Sequence, residues 1–282
     1  MTVMHPNGRA AEQAPPPVRH DPFARPAPCP APRRPRLLSH VGRWGRARRW
    51  LPPGALRVLD VGCSFAYGSA AIAAGGPAGR MVVGVERDPE HMAGAARDFP
   101  WIRVLEGDAT ALPVADGVAD AVTMLDIVEH LAEPRRAIAE AHRVLRADGV
   151  LIVSVPHRGV FEHLDALNVY EALRRRRPSW PPLEAATESG SGRHRHFAPD
   201  ELAAVLSPWF AVERVSRSGL GLQELLYLGS LLLRVALRSE RVTHALLPVH
   251  LVVYLVDDLL PLGRFGYHLT VRAHAVSHGR NG

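Results

Sequence analysis

Short apolar runs rich in Val, Leu and Ile recur along the chain, separated by helix-forming stretches. Residues 56–61 (LRVLDV), 81–86 (MVVGVE), 102–105, 120–125 (DAVTML), 150–155 (VLIVSV) and 210–215 have the length and composition of buried strands. Residues 69–74, 88–98, 134–145 and 199–206 read as helices between them. Asp88-Pro89-Glu90 places a proline and acids in a first turn, and Pro199-Asp200 opens another helix. Gly75-Gly76-Pro77 and Ala147-Asp148-Gly149 end helices, as Pro52, Pro53 and Gly54 end an earlier one over 37–50. Strands alternating with helices predict a doubly wound α/β sheet with right-handed crossovers. The run at 150–155 is almost wholly apolar, as a central parallel strand requires. Residues 267–275 (YHLTVRAHA) alternate instead and read as a last strand, paired antiparallel at the sheet edge.

Three regions fall outside that pattern. Residues 1–35 hold ten of the 25 prolines and no apolar period, so they read as a disordered arm. Residues 157–198 lose the periodicity and form an insertion or lid, with four consecutive arginines at 174–177 and a Glu-Ser-Gly-Ser-Gly run at 188–192. Within the C-terminal part, 199–282, the stretches 220–237 and 242–260 are strongly apolar and near spanning length. Gln223, Glu224, Arg234, Pro248, His250, Asp257 and Asp258 interrupt or end them. They therefore read as a helical hairpin over 220–260 packed on the domain, with peripheral membrane contact as an option. Residues 36–156 remain as the α/β core.

Charge narrows the function. The 282 residues carry a formal charge of +6, and no lysine is present. Residues 1–57 hold 11 arginines against Glu12 and Asp21, a net of +9, which leaves −3 for the rest. The basic character belongs to the arm, so a nucleic-acid groove on the folded body is not expected. Cys29 and Cys63, the 2 cysteines, exclude a disulfide framework. The N-terminus has no apolar segment of the secretory type, and a cytoplasmic location is the expectation.

Candidate chemistry gathers where the predicted strands end. In an open α/β sheet, ligands bind beyond the carboxyl ends of strands, at the point where strand order reverses. The turn from Gly62 to Gly68 follows the first strand, Glu86 ends the second, and Asp108 and Asp126 follow the third and fourth. A carboxylate ending the second strand suits the two hydroxyls of a ribose and opposes a 2′-phosphate. Asp108 can accept from an exocyclic amine such as that of adenine. The turn lacks the spaced triple glycine of dinucleotide folds, and Asp60 disfavours a phosphate beside it. An adenosine-bearing ligand without pyrophosphate fits best.

This pattern resembles the class I S-adenosylmethionine-dependent methyltransferases, over roughly 56–156 and more weakly 197–275. Their opening motif is hydrophobic-D-x-G-x-G-x-G. Asp60 and Gly62 match it, whereas Ser64 and Ala66 replace two glycines. Leu125-Asp126-Ile127-Val128-Glu129-His130-Leu131 is similar to a segment of quinone-type and other small-molecule members, and Arg143-Val144-Leu145 with 147–156 matches a further one. The resemblance implies a Rossmann-like seven-stranded sheet with an antiparallel last strand, plus a helical insertion. It implies S-adenosylmethionine as cofactor, touched by Asp60, Gly62, Cys63, Ser64, Gly68, Glu86, Arg87, Asp108, Ala109, Leu125 and Asp126. It also places His130 and Asp126 at the reacting centre. A divalent metal at Asp126, Glu129 and His130, as in ubiquinone-type members, is the less favoured reading.

The chain is therefore expected to be a methyltransferase acting on a small, apolar acceptor, with a hydroxyl as the favoured target. The second reading is a non-catalytic, membrane-associated interaction module on the same fold. Cys63 reads as a buried filler, and no activating partner is evident for it. His194 and His196 read as lid or surface residues, with a metal pair as the alternative.

Overall fold

The computed structural model describes residues 17–24, 42–74, 76–181, 194–239 and 262–276, with scattered positions between 245 and 257. Seven strands form one sheet in the order β3-β2-β1-β4-β5-β7-β6. They are β1 (Arg57–Val61), β2 (Met81–Glu86), β3 (Arg103–Glu106), β4 (Ala119–Leu125), β5 (Leu145–Pro156), β6 (Phe210–Ser218) and β7 (His268–Ala275). The first five are parallel neighbours, and β7 runs antiparallel to both β5 and β6. The chain moves outward from β1 through β2 to β3, then returns to the other side of β1 with β4. The strand order reverses between β1 and β4, and the crevice for a ligand opens there.

Alternation along the strands builds two cores. Leu59, Val83, Val122 and Val153 face one side, while their neighbours Val58, Val82, Ala121 and Ile152 face the other. Helices α4 (Pro134–Val144) and α6 (Pro199–Leu206) cover the first side through Ile138, Ala141, Leu202 and Leu206. Helices α1 (Gly42–Trp50), α2 (Tyr67–Ala74) and α3 (Pro89–Asp98) cover the second through Ala47, Ile72 and Ala95. Asp88 caps α3 as its sequence suggested, accepting from the backbone N–H of Glu90 at 2.8 Å, with Pro89 in the first turn.

Two expectations change. Residues 17–24, inside the arm read as disordered, are folded onto the core. His20 bridges to Val114, and Phe23 is buried with Leu112 and Val114 in the first core. One aromatic among many prolines is too sparse to show as a period, yet it suffices to anchor the segment. Second, β7 is not the edge strand. It lies between β5 and β6, and its polar residues His268 and Thr270 are buried, whereas β6 exposes Val212, Glu213 and Arg214. The alternation in β7 suggested a solvent face that is in fact covered. The insertion, expected to be helical, contains helix α5 (Ala166–Arg176), capped by the Asp165 side chain on the Asn168 N–H at 2.8 Å. It packs on α7 (Leu222–Leu237) through Tyr170, Leu231 and Leu228. The arginines at its C-terminal end complement the helix dipole and are solvated. Much of the second half of the expected 220–260 hairpin lies outside the described residues, as does 182–193.

Candidate active site

The turn after β1 is built by backbone demands. Gly62 has φ +71°, in the left-handed region, and a Cβ there would lie 2.2 Å from Ile127 Cδ1. Ser64 (φ 49°) and Ala66 (φ 60°) adopt the same region although neither is glycine. They preserve the shape of the motif at a cost of about 1–2 kcal/mol each. Gly68 lets Trp44 of α1 lie across the turn, since a Cβ there would meet the indole at 3.2 Å.

Asp60 holds this turn from beneath. Its carboxylate is buried and accepts from Ser69 Oγ and Thr123 Oγ1, each at 2.6 Å. Burial raises its pKa, and the two hydroxyl bonds oppose that rise. Its side chain ties β1 to β4 and α2. Cys63 points its thiol at Gly84, where an added Cβ would lie 2.5 Å away, and burial followed by Asp60 and Glu86 pushes the thiol pKa up. It is an inert filler, as expected.

Two cavities flank the turn. One, of about 580 Å³, is lined by Gly62, Ser64, Glu86, Arg87, Asp108, Ala109, Asp126 and His130 among others. The other, of about 240 Å³, is lined by Arg43, Trp44, Asp60, Cys63, Gly68, Leu125 and Asp126 among others. Every residue named from the sequence as a cofactor contact thus lines one of the two. Glu86 accepts from the N–H groups of Ser64 at 2.7 Å, Arg87 at 2.8 Å and Asp88 at 3.0 Å, which fixes its carboxylate at the end of β2. Asp108 is oriented by Thr110, whose N–H and hydroxyl donate at 2.6 and 2.7 Å.

Arg43 and Trp44 escaped the sequence reading. Arg43 pairs with Asp126, which also accepts from Ser154 Oγ at 2.9 Å and has φ 56°. Burial would raise the Asp126 pKa, but Arg43 and His268 hold it below the usual carboxylate range. Nothing in the arginine-rich sequence around 43 distinguishes this residue from its neighbours.

Beyond Asp126 lies a second polar cluster. Glu129 is buried, and neither carboxylate oxygen has a hydrogen-bond partner. Burial and the nearby Asp126 push its pKa up to about 8. His194 Nε2 lies 3.8 Å from Glu129 Oε1, and its ring lies tilted, 4.7 Å from that of His130. His194 Nδ1 meets Asp165 Oδ2 at 2.6 Å, and Tyr267 donates to the same oxygen at 3.1 Å. Burial alone would lower the His194 pKa, but Asp165 and Glu129 raise it to about 8. Burial and His194 push His130 down to about 4, so it is a weak base at neutral pH. His194 and His196, both half-buried, belong to this cluster and line a further cavity of about 770 Å³ with Asn168, Val169 and Phe197. Asp126 stands apart from the metal trio the sequence suggested. Its oxygens are engaged by Arg43 and Ser154, and His194 takes its place beside Glu129 and His130.

The arrangement suits an adenosine-bearing ligand. Carboxylates at the ends of β2, β3 and β4 surround the larger cavity, offering acceptors for hydroxyl and amino groups and repelling phosphates. Comparison with known proteins agrees. Residues 59–153 match the family model described as a methyltransferase domain. A Mycobacterium tuberculosis protein described as a probable S-adenosylmethionine-dependent methyltransferase is 35% identical over 104 residues, 37% of each chain. The demethylmenaquinone methyltransferase of Renibacterium salmoninarum is 36% identical over 127 residues, 42% of this chain and 52% of that one. The matches thus span a third to a half of the relatives' lengths. A Thermotoga maritima crystal structure of a S-adenosylmethionine-dependent methyltransferase superposes with a TM-score of 0.51 at 18% identity, covering 84% of this chain and 91% of that one. With the motif, the strand order and the family match in agreement, residues 59–153 form a methyltransferase domain similar to those of S-adenosylmethionine-dependent methyltransferases.

Proposed function

We propose that the chain transfers a methyl group from S-adenosylmethionine to a hydroxyl of a small, largely apolar acceptor. The observation that carries this reading is the ring of Glu86, Asp108 and Asp126 around the 580 Å³ cavity, at the strand-order reversal. Glu86 would hold the ribose, Asp108 and Ala109 the adenine, and Arg43 with Asp126 the charged amino-acid end. When bound, the cofactor supplies a methyl already activated on a sulfonium. The protein's task is then to align the acceptor and to take its proton. The cavity beside His194 and Phe197 is the acceptor side in this reading, next to His130 on the cofactor side. The likeness to a demethylmenaquinone methyltransferase supports an acceptor with an apolar body.

Helix α7 exposes Leu222, Leu225, Leu233 and Leu237. Among the described residues no helix is long and apolar enough to cross a membrane, so contact through this face would be peripheral. Titration calorimetry with S-adenosylhomocysteine tests the central reading. Saturable binding is expected, weakened about 10- to 100-fold by Glu86→Ala through loss of charge-assisted hydrogen bonds. Absence of binding at high ligand concentration would overturn it and favour a non-catalytic interaction module.

A further inference from the structure

We propose that Glu129, His130 and His194 form a binding site for a divalent transition metal of the zinc class. One ligand atom from each lies within 4.8 Å of the others. Around a tetrahedral ion with bonds of about 2.1 Å, ligand atoms lie about 3.4 Å apart. His194 Nε2 and Glu129 Oε1 at 3.8 Å nearly meet that spacing already.

The chemistry of the three side chains points the same way. A buried carboxylate with no hydrogen bond on either oxygen is costly, because water has been removed and only the His194 ring at 3.8 Å faces it. His194 Nε2 is likewise buried without a partner. A cation between them satisfies both. The other ring nitrogen of His194 is fixed, since Asp165 accepts at 2.6 Å and an ionised carboxylate can only accept. Nδ1 therefore carries a proton in either state of the ring, and Nε2, facing Glu129, offers a lone pair to a cation once that cation displaces its own proton. A carboxylate behind a ligating imidazole is the usual outer support of a metal-bound histidine. Asp165 is itself locked by the Asn168 N–H at 2.8 Å and by Tyr267. Two imidazoles and one carboxylate suit zinc, cobalt or ferrous ions better than magnesium or calcium, which prefer oxygen.

The chain gathers this set from distant places. Glu129 and His130 follow β4, while His194 belongs to the insertion. His130 lines the 580 Å³ cavity and His194 the 770 Å³ cavity, so the ion would lie at their partition. The remaining coordination position would take water or an acceptor hydroxyl. That last assignment rests on the proposed methyl transfer, whereas the metal site does not.

The full chain, stripped with a chelator, is titrated with Co²⁺ and followed by its visible absorption, then competed with Zn²⁺. About one equivalent is expected, with an intense tetrahedral or five-coordinate Co²⁺ spectrum. Glu129→Gln and His194→Gln should each abolish saturable binding, and Asp165→Asn should weaken it about 10- to 100-fold. Asp126→Asn should leave it intact. Circular dichroism verifies that each variant is folded, and S-adenosylhomocysteine binding is measured on the same samples. Failure to bind either metal, binding indifferent to Glu129→Gln and His194→Gln, or binding lost equally in Asp126→Asn would each overturn the site. None of these outcomes depends on whether the nucleoside ligand binds.

Discussion

Gly62→Ala probes the turn on which the cofactor reading rests. Two terms oppose the substitution. The backbone sits at φ +71°, where a Cβ costs about 1–2 kcal/mol. The new methyl would also lie 2.2 Å from Ile127 Cδ1 and 3.0 Å from Ile127 Cβ. The δ-carbon can rotate aside, but the β-carbon can retreat only with its backbone, and such overpacking costs about 1–3 kcal/mol. Reduced freedom of the unfolded chain returns roughly 0.4–1 kcal/mol. The net expectation is a loss of about 1–4.5 kcal/mol, read by equilibrium urea denaturation. Because Ile127 also lines the 580 Å³ cavity, S-adenosylhomocysteine affinity should fall with stability. The double variant Gly62→Ala/Ile127→Ala isolates the steric part. It should show a favourable coupling of about 1–3 kcal/mol, leaving the backbone term behind. A single variant within about 0.5 kcal/mol of the parent, or strict additivity in the cycle, would refute this account of the turn.

Two further perturbations address the buried carboxylates. Asp60→Ala strands the Ser69 and Thr123 hydroxyls in the core, at about 1–3 kcal/mol each, less the relief of no longer burying a charge. A net loss near 2 kcal/mol by urea denaturation is expected, and unchanged stability would show that the carboxylate does not brace the turn. Glu224 is pushed by burial to about 7 from an ordinary 4.5, while it accepts from the Ala166 N–H at 3.1 Å. Its folded pKa is raised, so its stabilising contribution is complete below pH 4.5 and disappears as pH rises through 7. Glu224→Gln should therefore be more stable than the parent at pH 8, by about 1–3 kcal/mol, with the gain shrinking toward pH 5. A gain independent of pH would sink the assignment.

The parts of the fold that depend on local periodicity were legible in the sequence. The run at 150–155 is apolar but for Ser154 because both faces of β5 are covered, and Asp88-Pro89 starts α3 because the cap and the proline act within one turn. Contacts made at long range were not. Phe23 buries itself more than eighty residues from Leu112, and no window of sequence contains both. The same applies to β7, whose His268 and Thr270 are covered by neighbours from elsewhere in the chain. In the site, Glu86 and Asp108 were legible because strand ends fix their place. Arg43 was not, because its partner Asp126 lies on another element and ten other arginines precede residue 58. Glu224 carried a usable clue, being an acid within an apolar helix, and it sits beside α5 at the Ala166 N–H.

Ser64 and Ala66 were the discordant positions of the opening motif, and the structure gives them a physical meaning. Both occupy the left-handed backbone region that glycine would have occupied, as does Asp126 across the crevice. Of the four described non-glycine residues in that region, these three border the two cavities or the turn between them, while the fourth, Arg238, ends α7. The surrounding bonds over-determine each of the three. Glu86 accepts from the Ser64 N–H, and the Ala66 N–H reaches the Cys63 carbonyl at 2.8 Å. The Asp126 N–H reaches the Ser154 carbonyl at 2.9 Å while Ser154 Oγ and Arg43 engage its side chain. The missing glycines therefore do not remove the turn. They shift its cost onto the same carboxylates that make the site, so that Glu86 and Asp126 both hold the backbone in place and face the cavity.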